Sequence, residues 1–447
     1  MSNKIIVVGG LAAGPAAASK AKRENPSCDV TLLEKSPYVS YGICELPFFI
    51  DGSIDDYRDL IAFTPEKFSS EKGVDVKTSH ELKEIDHPNR EILVFDSSEN
   101  KINRMQYDKL ILATGTKPLL LEGFPQAKNV FTAKFLEDGL RIKSFIRAHQ
   151  PKNALIFGAG FIGLELAEAL FKIGMNVKIF TLGDLPLENF EPQSGIHALS
   201  LLDSHGIEFI KYKQIDSFSI DENRIGSLEI DSRVYNSDII ISAIGIEPNT
   251  DLFKGSGISL GSKKGVEVDQ KMNTNLNNIY ACGDCCELTN KITLKKGLFP
   301  FANLAQKTGW VAGENAAGGQ ARFKGVIPAY ALKVFNTEFA HVGLTQSQTE
   351  SLGIKSGKAV TRGLNKPSII PGTSVINIAL LFNSDTNVII GADLYGQEGC
   401  ALRANILSSA IFNKMTLSDL LDLDQVYHPL VTPQRDPIYF CAAKGLK

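Results

Sequence analysis

The stretch Gly158-Ala159-Gly160-Phe161-Ile162-Gly163 constrains this chain more than any other. It is a complete G-x-G-x-x-G fingerprint, entered from the apolar run Ala154-Leu155-Ile156-Phe157 and opening a helix through Leu164 and Glu165. Strand, glycine turn and helix in that order bring backbone N–H groups and the positive end of a helix dipole against a pyrophosphate. The next strand, Val177 to Phe180, ends at Thr181. An acidic residue there would take the ribose of NADH, and a following arginine would take the extra phosphate of NADPH. Neither is present, so the choice between NADH and NADPH stays open.

A related pattern opens the chain. Lys4 to Gly9 is a short apolar β run, followed by Gly9-Gly10-Leu11-Ala12-Ala13-Gly14 and an alanine-rich helix to about Arg23. The strand Val30 to Leu33 ends at Glu34, twenty residues beyond Gly14, where a carboxylate can take ribose hydroxyls. Leu11 stands where the fingerprint has its middle glycine, so this motif is the less specific of the two. Residues 60 to 106 read as short strands alternating with polar turns. Tyr107 to Gly115 reads as a buried strand ending in Ala113-Thr114-Gly115, and Asp238 to Ser242 ends in a second version of that turn, Ala243-Ile244-Gly245. Pro118 and Gly123-Phe124-Pro125 mark a crossing between domains. After Tyr280-Ala281-Cys282-Gly283-Asp284 and Pro300-Phe301-Ala302 a helix runs through Trp310 to Ala317. From about Gly325 the pattern changes to strands and hairpins, Val375 to Phe382 and Val388 to Leu394, then amphipathic helices, Cys400 to Phe412 and Leu417 to Leu421. That block carries no glycine fingerprint and reads as a domain for assembly.

The expected fold is α/β. Two Rossmann-like dinucleotide-binding domains, 1-117 with 245-324 and 118-244, precede a C-terminal α+β dimerisation domain, 325-447. A chain of 447 residues with 43% hydrophobic content can bury several cores. With 47 basic and 50 acidic residues the net charge is -3, which gives no reason to expect nucleic acid or an anionic membrane as partner. Seven cysteines without regular spacing do not read as a disulfide framework and fit a reducing compartment. Met1-Ser2-Asn3-Lys4 runs straight into a strand with no signal-peptide core, and no apolar run approaches a membrane span, so a cytoplasmic location is expected. Cys282 and Cys285 form a single C-x-x-C, too little for zinc, and no metal is expected. Cys28, Cys286, Cys400 and Cys441 read as simple thiols.

Cys44 is different, because Ser40-Tyr41-Gly42-Ile43-Cys44-Glu45-Leu46-Pro47 lies between two nucleotide folds able to deliver reducing equivalents. A thiol titrates near about 8.5, so lowering it by about 2 units takes roughly 3 kcal/mol of thiolate stabilisation. Glu45 works against that, since a neighbouring carboxylate raises a thiol pKa. It must point away, or the substrate must bring positive charge.

Two glycine fingerprints, two Ala-x-Gly turns and Tyr-Ala-x-Gly-Asp, in one order, resemble the pyridine nucleotide-disulphide oxidoreductases over the whole chain. The resemblance implies FAD on the first fold, at Gly9, Gly10, Leu11, Ala12, Ala13, Gly14, Glu34, Lys35, Leu82, Ala113, Thr114, Gly115, Gly283 and Ala302, with Asp284 on the ribityl chain. It implies NADH or NADPH on the second, at Gly158, Gly160, Ile162, Gly163, Thr181 and Gly245, with Phe161 as the ring lid and Glu165 near the nicotinamide amide. The single cysteine of Ser40-Tyr41-x-x-Cys44 is similar to the branch of coenzyme A-disulfide reductases, NAD(P)H persulfide reductases, NADH oxidases and NADH peroxidases. The oxidases and peroxidases carry a histidine in the first glycine turn, where this chain has Ala12. Leu46-Pro47-Phe48-Phe49 instead resembles the coenzyme A-disulfide and persulfide reductases.

The resemblance further places a homodimer whose active site is shared across subunits, with Tyr427-His428-Pro429 and Arg435-Asp436-Pro437 crossing to the partner. Tyr427 then approaches the flavin and cysteine, and His428 beside it is a candidate acid/base. Contacts to a coenzyme A-like substrate fall on Lys20, Arg23, Ser40, Lys72, Gln306 and Arg435. Ile43 replaces the family asparagine before the cysteine, and Ile369-Ile370-Pro371-Gly372 stands where Tyr-Tyr-Pro-Gly is often found. The expected function is FAD-dependent NAD(P)H reduction of coenzyme A disulfide or a related persulfide or polysulfide through Cys44. The alternatives are an NADH oxidase or peroxidase using a Cys44 sulfenic acid, and a non-catalytic flavoprotein sensor or scaffold.

Overall fold

In the first of two compact units a fully parallel five-stranded sheet runs in the order Ile279–Ala281, Lys109–Leu112, Lys4–Val8, Asp29–Leu33, Asp75–Lys77. The computed structural model describes residues 3–121, 123–124 and 127–447. Met1, Ser2 and the Pro125 of the sequence-read crossing lie outside them. The central strand Lys4-Ile5-Ile6-Val7-Val8 is apolar on both faces because both faces are covered, as a parallel sheet requires. Helices Ala13–Glu24 and Ala302–Ala316 pack on one another through small residues: a Cβ at Gly309 would sit 2.3 Å from the Ala13 carbonyl oxygen, and one at Gly313 2.1 Å from that of Ala17. This unit takes in the chain up to Leu119, Lys134–Lys143 and Gly245–Val326.

The 60–106 stretch holds more than strands. Pro65–Lys72 is a helix, with the Thr64 hydroxyl accepting from Lys67 N–H, Pro65 in its first turn and Gly73 in the left-handed region at its end. A three-stranded antiparallel sheet follows, His80–Asp86, Glu91–Asp96 and Lys101–Gln106.

The second unit comprises Leu120–Ala133, Ser144–Ile244 and Ile327–Lys447. It holds a second parallel sheet in the order Glu208–Lys211, Asn176–Thr181, Asn153–Phe157, Ile239–Ser242, Val130–Thr132. It also holds a five-stranded antiparallel sheet in the order Ala329–Val334, Thr337–Gly343, Ile389–Gly396, Val375–Asn383, Ser356–Leu364. An aromatic cluster of Phe161, Phe190, Tyr330 and Phe339 joins these layers, and so does the buried Asp393, which accepts from Glu191 N–H, the Ser194 hydroxyl and His341 Nδ1. The assembly block read from the sequence therefore has its own sheet yet shares a compact unit with the second nucleotide fold. One further helix, Pro437–Gly445, closes the chain.

Candidate active site

A cavity of about 1130 Å³ lies over the first glycine turn. Gly9 (φ +113°) lies so close to the next strand that a Cβ would meet the Ala113 carbonyl oxygen at 2.1 Å, and a Cβ on Gly14 would meet the Gly9 oxygen at 1.7 Å. The helix therefore starts hard against the turn. Glu34 Oε2 accepts from Gly10 N–H (2.6 Å) and Oε1 from Ser36 N–H (2.9 Å). Burial pushes this carboxyl above its ordinary range, and the two N–H groups oppose that. Asp284 lines the same cavity on a turn shaped by Gly283, whose N–H donates to the Thr308 hydroxyl. Its Oδ1 is buried with no hydrogen-bond partner among the described residues, and burial raises its pKa against the pull of Lys134. Leaving such an acceptor unmade costs about 1–3 kcal/mol. A ligand bringing a pyrophosphate to the turn and hydroxyl donors to Asp284 fits this site, and FAD is such a ligand.

Cys44 lines the cavity too. Its segment is pinned to the glycine turn by Ser40 N–H donating to the Gly10 carbonyl (2.8 Å), and to residues 60–62 by Gly42 N–H to Leu60 and Ala62 N–H to Ser40, both 2.9 Å. Ser40 is held at φ +49°, a left-handed conformation costing about 1–2 kcal/mol outside glycine. Beneath it Tyr41, Leu46, Phe49, Leu60 and Leu136 form an apolar cluster. No two of the seven cysteines are joined; six are buried and Cys44 alone is exposed. The Glu45 carboxylate folds back over Gly42, where a Cβ would meet its Oε2 at 2.2 Å, and Glu45 stays in the cavity lining. Its charge is thus kept at the site, alongside the cations Arg23, Lys35, Lys72 and Lys134.

Of the residues read from the sequence, Gly9, Gly10, Leu11, Ala12, Ala13, Glu34, Lys35, Ala113, Thr114, Gly115, Asp284 and Ala302 line the cavity, as do Arg23, Ser40, Ile43, Lys72 and Gln306. From Ala13 to Arg23 the lining extends about 15 Å along one helix at about 1.5 Å per residue. Lys20 does not line it: its ammonium is drawn to Glu314 (2.8 Å) and Glu24 (3.0 Å). Leu82 does not either, being buried in the apolar core. Sequence reading missed Trp310 and Phe63, both in the lining; Lys72 Nζ sits 4.9 Å above the Phe63 ring. The signal for Trp310 was its place one turn beyond Gln306 on the same helix face. Cys285 Sγ donates to the Cys282 carbonyl (3.3 Å) in the buried core, and no group of three or more metal-binding side chains occurs among the described residues.

Tyr427, His428 and Arg435 belong to the second unit. Tyr427 is exposed, His428 Nδ1 accepts from Leu430 N–H (3.3 Å), and the Arg435 guanidinium lies 5.8 Å from the Tyr439 ring centre. Asp436, within the sequence-read crossing segment, is a buried N-cap of Pro437–Gly445 and pairs with Arg403. The second glycine turn repeats the first. A Cβ at Gly158 (φ +107°) would meet the Ala243 oxygen at 2.3 Å, and one at Gly163 the Gly158 oxygen at 2.0 Å, while one at Gly160 would meet nothing within 4 Å among the described residues. That open face over a helix N-terminus fits the pyrophosphate of a dinucleotide. Phe161 stands edge-on to Tyr330 (5.3 Å) and Phe190 (5.8 Å). Burial, with Glu168 nearby, pushes Glu165 up to about 7. Gly245 (φ +130°) falls in the first unit.

The sequence pattern of the pyridine nucleotide-disulphide oxidoreductases matches residues 3–309, and that of their dimerisation domain matches residues 330–436. A Methanocaldococcus jannaschii protein named NADH oxidase is 32% identical over 449 residues, 99% of each chain. A Pyrococcus horikoshii NAD(P)H coenzyme A polysulfide/persulfide reductase is 29% identical, covering 99% of this chain and 98% of the other. The crystal structure of reduced Bacillus anthracis CoADR-RHD superposes with a TM-score of 0.96 at 28% identity, over 100% of this chain and 80% of that one. The chain belongs to the pyridine nucleotide-disulphide oxidoreductases, FAD-binding enzymes that use NAD(P)H. Within them it falls among the NAD(P)H-dependent flavin disulfide and persulfide reductases, with NADH oxidases also among its relatives. No helix among the described residues is long and apolar enough to cross a membrane.

Proposed function

We propose that this chain reduces coenzyme A disulfide or a related persulfide or polysulfide, with Cys44 as the redox thiol. The observation that carries this reading is the cavity that holds Cys44, the first glycine turn, and Arg23 and Lys72 together. Cations suit the phosphates of a coenzyme A-type thiol, and the reach of the lining along the helix suits its long arm. Bound flavin supplies two-electron chemistry between a hydride donor and sulfur. The Cys44 thiolate attacks one sulfur of RS–SR; the S–S bond breaks, the leaving thiolate takes a proton, and Cys44 becomes a mixed disulfide. Over the full cycle NAD(P)H, one proton and RSSR give NAD(P)+ and two RSH.

The exposed apolar side chains of Val426, Tyr427, Leu430 and Val431 support a homodimer through this segment. In that dimer Tyr427, His428 and Arg435 of one protomer serve the site of its partner, with His428 Nε2 the proton donor to the leaving thiolate. The cavity lining holds no histidine among the described residues and Ala12 sits in the glycine turn, which favours thiol over peroxide chemistry. The test is the intact mass of denatured, unreduced protein before and after a thiol reductant. A coenzyme A adduct on Cys44 is expected, and sulfur atoms there would select the persulfide reaction. An oxygen adduct would move the assignment to oxidase chemistry, and a bare thiol would remove Cys44 from the cycle. Cys44→Ser is expected to abolish disulfide reduction, measured as NAD(P)H-dependent thiol release, while bound flavin is retained.

A further inference from the structure

The second nucleotide fold lacks an acid at the end of its second strand, yet residues 182–190 bring one back to that place. Thr181 ends the strand, and its hydroxyl accepts from Gly183 N–H (3.2 Å), turning the chain sharply. Leu187, buried and held at φ +58°, donates its N–H to the carbonyl of Ala159 inside the glycine turn (3.1 Å). A leucine adopts that backbone only where its surroundings impose it. Helix Pro192–Ser204 seats the loop from below, since a Cβ at Gly195 would lie 2.7 Å from the Pro186 carbonyl oxygen. The loop is thus tied to both landmarks between which the adenosine ribose of a dinucleotide lies, the glycine turn and the end of the second strand.

Glu188 follows the tether directly. Its carboxylate lies over Gly183, where a Cβ would meet Oε1 at 1.6 Å. Lys211 stands opposite Thr181 on the neighbouring strand, and its ammonium is taken by Asp184. A carboxylate therefore stands over Gly183, two residues beyond the end of the second strand, and the lysine beside it is paired with Asp184.

We propose that Glu188 is the specificity residue for the adenosine ribose, accepting from its hydroxyls and rejecting a 2′-phosphate, so that the enzyme uses NADH in preference to NADPH. This rests on the reading of Gly158–Gly163 as the nicotinamide dinucleotide turn. The test is calorimetric titration of the FAD-loaded, oxidised enzyme and its Glu188→Gln variant with NAD+ and with NADP+ at low and high salt. The wild type is expected to bind NAD+ more than about tenfold tighter than NADP+, the scale of one like-charge contact in a surface cleft. The variant should move that ratio toward one, chiefly by binding NADP+ better, and added salt should shrink the wild-type ratio. Glu188 is exposed, so the variant should unfold at the wild-type temperature. Equal or tighter binding of NADP+ by the wild type, or an unchanged ratio in Glu188→Gln, would overturn the inference. Saturable binding of neither dinucleotide would overturn the site reading and the inference with it.

Discussion

The two glycine turns share a backbone and differ in how each is furnished with an acid. Both begin with a glycine near φ +110° pressed on the following strand's exit, at Ala113 in one and Ala243 in the other, and both close with a glycine pressed on the first. In the first unit the carboxylate is local: Glu34 directly follows the strand Asp29–Leu33, is partly buried, and is held by Gly10 and Ser36 N–H groups. In the second, Thr181 ends the strand, and the acid at that place, Glu188, is carried there by a backbone tether. An acid wired into the turn is part of the fold. An acid on an exposed side chain, as Glu188 is, can be exchanged at little cost to stability.

The largest expected difference between the two turns lies at their glycines. Gly9→Ala forces a side chain to 2.1 Å from the Ala113 oxygen at φ +113° and is expected to cost about 4 kcal/mol or more, read as loss of the folded flavoprotein in a thermal unfolding scan. Gly160→Ala meets nothing within 4 Å among the described residues and should melt with the wild type while weakening NAD+ binding. Comparable loss in both variants would mean that the two turns are built on different grounds.

Next in size are the acids. Glu34→Ala strands the Gly10 and Ser36 N–H groups and should destabilise the apoprotein by about 1–3 kcal/mol in urea. Glu188→Ala should stay within about 0.5 kcal/mol of wild type. Equal losses would abolish the distinction between wired and delivered acid.

The smaller effect is a pH dependence at Glu165. Its folded pKa of about 7 lies above its ordinary value of 4.5, so the native state holds the proton more tightly than the unfolded chain. Stability then falls as pH rises from about 4.5 to 7 and is level above that. The shift sets a ceiling of about 3 kcal/mol, and partial exposure reduces the expectation to about 1–2 kcal/mol. Glu165→Gln should match the wild type near pH 4.5 and exceed it by that amount at pH 8 in denaturant titrations. A difference that grows in the opposite direction would show that Glu165 gains a stabilising partner when ionised.

Much was legible in the residues because the constraints are local. Helix Cys400–Phe412 was read to its last residue, since an amphipathic repeat needs only its own sequence. Helix Pro65–Lys72 is hard to read from the residues although Thr64, Pro65 and Gly73 supply its start and stop; its single buried apolar side chain, Phe68, leaves the periodicity too faint. Lys20 and Arg23 share a helix face by spacing, yet only Arg23 lines the cavity, because Glu314 arrives from a helix almost three hundred residues away. Trp310 was visible as a residue, but its place in the cavity lining depends on its helix meeting Ala13–Glu24 through Gly309 and Gly313.

The two nucleotide folds, the glycines their turns demand and the singling out of Cys44 are legible in the residues alone. Each follows from steric rules acting over a few residues, where a Cβ either fits or does not. The packed structure alone decided that Cys44 is the exposed thiol of seven, that Asp284 keeps a buried oxygen with no partner among the described residues, and that the backbone beside Glu188 is tied back to the Ala159 carbonyl. Burial and long-range tethers are properties of what packs around a residue, and no window of neighbouring letters contains that.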